Sequence, residues 1–280
     1  MPELPEVESV RRLMSGILVG HRVNDVEVRP DEIVLRGLPP EAVSERLRGA
    51  EIRSVGRRGK YFWFDTGDRG YVLGHLGMSG WVRELGGPSI RLHSHGEAPL
   101  DDAAGEPRFL KMRVTSSSGR AFAFTDGRRL ARIWLADRLE DDPGYAKLGP
   151  DAWQDLPAIG EFTDLYRRRK APIKALLLQQ EILAGIGNWI ADEVLYRARI
   201  APMRVANTLS EAEYAALRQA IVEVLDLAVS VDADYQRFPD SWLFHVRWGG
   251  GRGAEFLDGQ AIVRETVGGR TTAWVPEVQR

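Results

Sequence analysis

The chain has 280 residues, of which 44% are hydrophobic and 28% charged, and a formal net charge of -2. That length accommodates two domains of about 100–200 residues each, and no stretch approaches the roughly 18 apolar residues of a membrane span. With no cysteine in the chain, disulfides, thiolate zinc sites, iron–sulfur clusters and a cysteine nucleophile are excluded, and no basic, apolar leader opens it, so the expected home is intracellular, cytoplasmic or nucleoid.

Val7, Val10, Met14 and Ile17 recur at helical spacing and predict a first helix from about Pro5 to Leu18, closed by Gly20. Pro39-Pro40 opens a short helix near Glu41–Arg48. Around it the pattern is that of strands at Glu51–Val55, Lys60–Asp65, Tyr71–Leu73, Trp81–Arg83, Phe109–Thr115, Ala121–Thr125 and Ala131–Leu135. Thr66-Gly67-Asp68, Ser118-Gly119 and Asp126-Gly127 supply turns between them. Short strands at this spacing predict a β-sandwich or barrel. Gly86–Pro107 reads as a polar loop, and its His93 and His95 as solvated residues, because no further ligand stands at metal-like spacing.

Asp137–Phe162 reads as a linker punctuated by Asp142-Pro143-Gly144 and Gly149-Pro150. Beyond it the period is helical: Ile173–Ile182, a glycine turn at 184–188, Trp189–Arg199, and a capping box at Ser210–Glu213 opening a helix to about Val231. Gln260–Thr266 and Thr271–Val275 form a terminal hairpin around Val267-Gly268-Gly269-Arg270. It is too poor in apolar mass to stand alone and must pack on the helical part. The boundaries are therefore 1–136, a linker at 137–162, 163–242 and 243–280.

The cations cluster although the net charge is small. Arg57-Arg58-Gly59-Lys60, Arg128-Arg129 with Arg132, and Arg167-Arg168-Arg169-Lys170 with Lys174 sit beside glycines, turns or helix starts. Any one cluster reads as a solvated face; three together point toward a polyanion. Gly185-Ile186-Gly187-Asn188 brings backbone N–H groups to the start of a helix, where a phosphate can be held, although a plain helical hairpin uses the same turn. At the other end, removal of Met1 would leave Pro2 as a secondary amine beside the Glu3 carboxylate, a possible catalytic pair.

Met1–Glu8, Arg58-Gly59-Lys60-Tyr61, His75–Gly80, Thr125–Leu130 and Gly185–Glu193 occur in that order. Together they resemble the formamidopyrimidine-DNA glycosylase / endonuclease VIII family of base-excision repair enzymes. Ile173–Leu178, Gly187–Glu193 and Trp242–Trp248 are most similar to its plant and fungal branch. The resemblance implies an α+β fold: an N-terminal β-sandwich with a leading helix, then a helix–two-turns–helix domain ending in a β-hairpin finger, with DNA in the cleft between them. Most bacterial relatives hold that finger with four cysteines and zinc. This chain would be a zincless member needing no cofactor, its partner damaged double-stranded DNA, acting as a monomer with no membrane association.

The roles implied are a Schiff-base nucleophile at Pro2 and a proton donor at Glu3. Lys60 and Arg270 would contact phosphates and donate protons in the eliminations, and Asn188, Lys174 and Arg129 would bind DNA. Met78, Arg128 and Leu130 would fill the gap left by the extruded base, with Leu130 standing where many relatives have phenylalanine. Glu6 would support the lesion pocket. Gln179 replaces an aspartate common in relatives, with no role derivable. Val231–Asp240 is the segment expected over the lesion, and its shortness favours formamidopyrimidines and hydantoins over 8-oxoguanine. An enzyme for oxidised pyrimidines, and a DNA-binding protein without catalysis, are the alternatives.

Overall fold

The computed structural model describes residues 2–87, 101–249 and 255–280; Met1, His93 and His95 lie outside them. Two compact units are formed. The first comprises Met1–Lys147 with Asp232–Tyr235, and the second Leu148–Val231 with Gln236–Arg280. The stretch expected as a linker thus divides at Lys147, its first part packing with the first unit and the remainder with the second.

The first unit runs α1 (Leu4–Leu18), β1 (Val23–Val28), α2 (Pro40–Leu47), β2 (Ser54–Arg58), β3 (Tyr61–Asp65), β4 (Tyr71–His75), β5 (Trp81–Glu84), β6 (Leu110–Ser116), β7 (Ala121–Thr125), β8 (Arg132–Ala136) and α3 (Pro143–Ala146). Its strands form two antiparallel four-stranded sheets, β1-β6-β7-β5 and β2-β3-β4-β8. Val7, Val10, Met14 and Ile17 of α1 pack into one core with Phe62, Phe64, Val72, Met112, Val114, Phe122 and Phe124. The alternation expected of half-buried strands supplies those inward side chains.

Two strands depart from the sequence reading. β1 was not expected, because a register shift between Val23 and Asp25 moves the apolar residues from one parity to the other. A bulge breaks the period-2 signal in this way. β2 lies three residues later than the expected Glu51–Val55, since Arg57, only 4% exposed, takes an inward position after Val55. A charged residue on the core face conceals the alternation.

The second unit contains α4 (Ile159–Tyr166), α5 (Ile173–Leu177), α6 (Asn188–Arg197), α7 (Glu211–Ser230), β9 (Phe256–Leu257), β10 (Gln260–Ala261), β11 (Val263–Val267) and β12 (Arg270–Trp274). α4 begins inside the expected linker. The helix expected to Ile182 ends at Leu177 because Gln180 competes for the backbone: its side-chain amide donates to Leu178 O and Ile186 O and accepts from Gly185 N. Ser210 and Glu213 form the expected capping box of α7. The single strand expected at Gln260–Thr266 is two, with β10 pairing β9 and β11 pairing β12.

The hairpin rests on a small core of Leu243, Leu257, Ile262, Ala273 and Val275. Nearby, Trp189, Phe238, Trp242 and Phe244 stack and meet edge to face, with centroids 4.8–6.5 Å apart. At the turn, Gly268 (φ 60°) approaches α5 so closely that an added Cβ would stand 2.7 Å from Ala175 Cβ. Only glycine fits both that conformation and that approach. Phe238 also anchors the Val231–Asp240 segment, in which Asp232 and Ala233 both have left-handed backbone.

Candidate active site

In the first unit the site is assembled at the start of α1. Pro2 is buried, and Glu3 and Glu6 are 2% and 5% exposed. Glu3 caps the helix and forms a capping box with Glu6, whose Oε2 accepts from Glu3 N at 3.1 Å. This reciprocal bonding gives the first turn a defined position where a chain end would otherwise fray. Burial, and then the Glu3 charge, push the Glu6 carboxyl up to about 7.

Glu8, two residues beyond Glu6, accepts from Arg57 Nε at 3.1 Å, and Arg57 Nη1 donates to Gly59 O at 2.9 Å. Lys60 follows, 8% exposed. A buried ion pair therefore joins the helix bearing Pro2 and Glu3 to the turn bearing Lys60. The Arg57–Lys60 cluster is consequently not one cationic face, because Arg57 is an interior residue.

The raised Glu6 carboxyl has a consequence for stability. Unfolded, it ionises near 4.5; folded, near 7. Between those values the folded chain holds the extra proton, so this group's contribution is full below pH 4.5 and is lost as pH rises toward 7. Glu6→Gln is expected to remove up to about 3 kcal/mol of that decline, read by denaturant unfolding across pH 4–8.

Two loops lie next to one another on the same unit. His75 Nδ1 accepts from Gly77 N at 2.9 Å. Burial, then Lys60 and Arg132, hold the His75 pKa down at about 4, so the ring stays neutral and able to accept. Gly77, with φ 61°, approaches the second loop so closely that a Cβ would stand 2.2 Å from Leu130 O. The second loop winds around Asp126. Its carboxylate accepts from Arg128, Leu130 and Ala131 N and from Ser79 Oγ, at 2.7–3.0 Å. Burial alone would raise the Asp126 pKa, but these donors lower it, so the carboxylate stays ionised.

Met78, 37% exposed, exposed Arg128 and half-buried Leu130 project from these loops. Arg129 differs from expectation. Its guanidinium is held by Asp31 at 3.0–3.1 Å, beside Lys111, so it braces the loop while its side chain stays half exposed. Asp31 carried no sequence signal for this, since its partners lie 80 and 98 residues away.

In the second unit Asn188 Nδ2 donates to Thr271 O at 2.9 Å, joining the start of α6 to β12, while Arg270 opens that strand exposed. Lys174 is the clear correction. Its side chain is 0% exposed and pairs with Asp192 Oδ1 at 2.5 Å. It also donates to Thr272 Oγ1 at 2.7 Å and Thr271 O at 3.3 Å. It therefore cannot reach a phosphate without leaving this pairing. Asp192 further accepts from Arg247 Nη2 at 2.6 Å and from Ala273 N at 3.2 Å. Thr272 Oγ1 closes the circuit by donating to Arg270 O at 3.1 Å. Lys174, Asp192 and Arg247 thus anchor the strand that presents Arg270; Asp192 and Arg247 lay inside recognised motifs but showed no such role from sequence.

Residues 1–133 match the formamidopyrimidine-DNA glycosylase N-terminal domain, and residues 148–240 its H2TH domain. A formamidopyrimidine-DNA glycosylase of Arabidopsis thaliana is 37% identical over 281 residues, covering 100% of this chain and 71% of that protein. Its namesake in Pelobacter propionicus is 32% identical, covering 100% of both chains. The Lactococcus lactis formamidopyrimidine-DNA glycosylase, solved non-covalently bound to DNA containing an abasic site, superposes with a TM-score of 0.79 at 27% identity over 100% of both chains. The chain belongs to the formamidopyrimidine-DNA glycosylase family.

Proposed function

We infer that the protein is a DNA glycosylase and abasic-site lyase of base-excision repair, acting on damaged duplex DNA through the amine of Pro2. The observation that carries this reading is the buried Pro2–Glu3 pair at the capped start of α1, linked through Glu8 and Arg57 to the Lys60 turn. Once Met1 is removed, an α-amine with a reference pKa of about 7.7–8.0 is on the order of 10% neutral at pH 7, whereas a lysine near 10.4 is almost wholly protonated. The neutral amine attacks the sugar C1′, the bond to the damaged base breaks, and Glu3 protonates the ring oxygen as the sugar opens.

The resulting secondary-amine adduct is a cationic iminium, which acidifies the 2′ protons. Loss of a 2′ proton expels the 3′ phosphate, and a second elimination expels the 5′ phosphate. Lys60 and Arg270 stand as phosphate contacts and proton donors for these steps, and Asn188 as a further phosphate contact. Met78, Arg128 and Leu130 fill the space of the extruded nucleotide, whose extrusion costs a few kcal/mol.

Borohydride trapping on abasic-site DNA tests the reading: a covalent adduct mapped by mass spectrometry to Pro2 supports it, and no adduct overturns it. A chain that keeps Met1 or carries an N-terminal tag is expected to be inert in the same assay. Among lesions, formamidopyrimidines and hydantoins are expected to be excised faster than 8-oxoguanine. An excision panel over defined duplexes checks the ranking, and faster release of 8-oxoguanine would reverse it.

A further inference from the structure

We propose that Phe109 is an additional base-stacking residue, supplying to a nucleobase exposed by extrusion the aromatic face that Leu130 lacks. The inference rests on the glycosylase reading above and concerns a residue outside the recognised motifs. Phe109 is 50% exposed, more than Met78, although a phenylalanine in this unit has a large core available to it. Its φ is 60°. A bulky side chain in the left-handed region is a genuine outlier, and such strain persists only where the surroundings impose it.

Those surroundings are the gap-filling loop. Asp126 N donates to Phe109 O at 3.0 Å, so the same aspartate that gathers the amides of Arg128 and Leu130 also holds the backbone of Phe109. The Phe109 ring lies over Gly127, where an added Cβ would be 3.2 Å from it. Immediately afterwards the β6–β7 register shifts between Leu110 and Met112. Bulges beside functional sites re-aim side chains, and this one lies within three residues of the exposed ring, with pairing resuming at Met112.

The chemistry of the position suits a base. Arg108 is exposed, with its guanidinium carbon 5.3 Å from the Phe109 ring centroid, so a cation accompanies the aromatic face. Aromatic rings paired with cations are how proteins hold unpaired bases without reading sequence. Leu130, half-buried and aliphatic, supplies volume but no π-face. The structure thus divides between Leu130 and Phe109 what one aromatic residue would do alone.

The test compares duplex and single-stranded substrates. Phe109→Ala is expected to slow excision from duplex DNA by about 5- to 150-fold, the range for loss of one base–aromatic stack. Borohydride trapping on a single-stranded abasic oligonucleotide should be unchanged, and Phe109→Tyr should restore the duplex rate. With 2-aminopurine placed opposite an abasic-site analogue, the wild type should quench the fluorophore by stacking and Phe109→Ala should leave it bright. Unchanged duplex excision and quenching in Phe109→Ala would overturn the proposal. So would an equal loss on both substrates together with a lowered melting temperature, which marks a structural residue. Failure of the wild type to trap on either substrate would instead sink the glycosylase reading.

Discussion

Glu3→Gln is expected to lower base excision by about 10²- to 10⁴-fold, the loss that follows removal of a positioned general acid. Binding to lesion-containing duplex should survive. Glutamine keeps an oxygen to face the first turn of α1, so the capping box and the position of Pro2 are retained. The substitution separates chemistry from architecture for that reason. It carries a second readout, because the Glu3 charge is one cause of the raised Glu6 pKa. Removing it should move the Glu6 titration downward, visible by carboxyl NMR. Excision at the wild-type rate would show that Glu3 is not the acid; lost DNA binding would show that its role is structural.

Asp192→Ala is expected to destabilise the second unit by about 3–5 kcal/mol, because it leaves Lys174 and Arg247 buried without their counter-charge. Against a typical domain stability of about 5–15 kcal/mol this is a large fraction, and denaturant unfolding should show it directly. The same circuit gives a sharp test of the corrected role of Lys174. A lysine on a phosphate contributes about one unit to the slope of log affinity against log salt. Lys174→Met should leave that slope unchanged while lowering stability. Arg270→Ala, at an exposed position on β12, should reduce the slope by about one and leave stability almost unaltered. The opposite pattern would return Lys174 to the DNA surface.

The burial of Lys174 also explains how the finger is held. Asn188, Lys174 and Asp192 come from α5 and α6, and all three bond to Thr271, Thr272 or Ala273. A hairpin whose β11 is mostly exposed is thereby fastened through one strand. Glu193, beside Asp192, contributes differently. Burial raises its carboxyl to about 8 while its Oε2 accepts from Phe244 N, so it ties α6 to the aromatic cluster as a neutral group.

By itself the sequence determined the elements whose signals are local: α1 by its apolar spacing, α7 by its capping box, the Gly268-Gly269 turn, and the alternating Phe62 and Phe64 of β3. Its ordered motifs also identified the family, and on the proposed reading they point to Pro2, Glu3, Lys60, Asn188 and Arg270 as the working residues. Tertiary structure alone decided what depends on distant partners. Arg57 is interior because Glu8, 49 residues away, neutralises it; Arg129 braces a loop because Asp31 lies 98 residues back; Lys174 is buried because Asp192 neutralises it and Thr272, 98 residues on, accepts its hydrogen bond. A charge read from sequence looks the same whether it faces phosphate or carboxylate. Desolvation and pairing distinguish the two, and both exist only once the chain has brought its remote segments together.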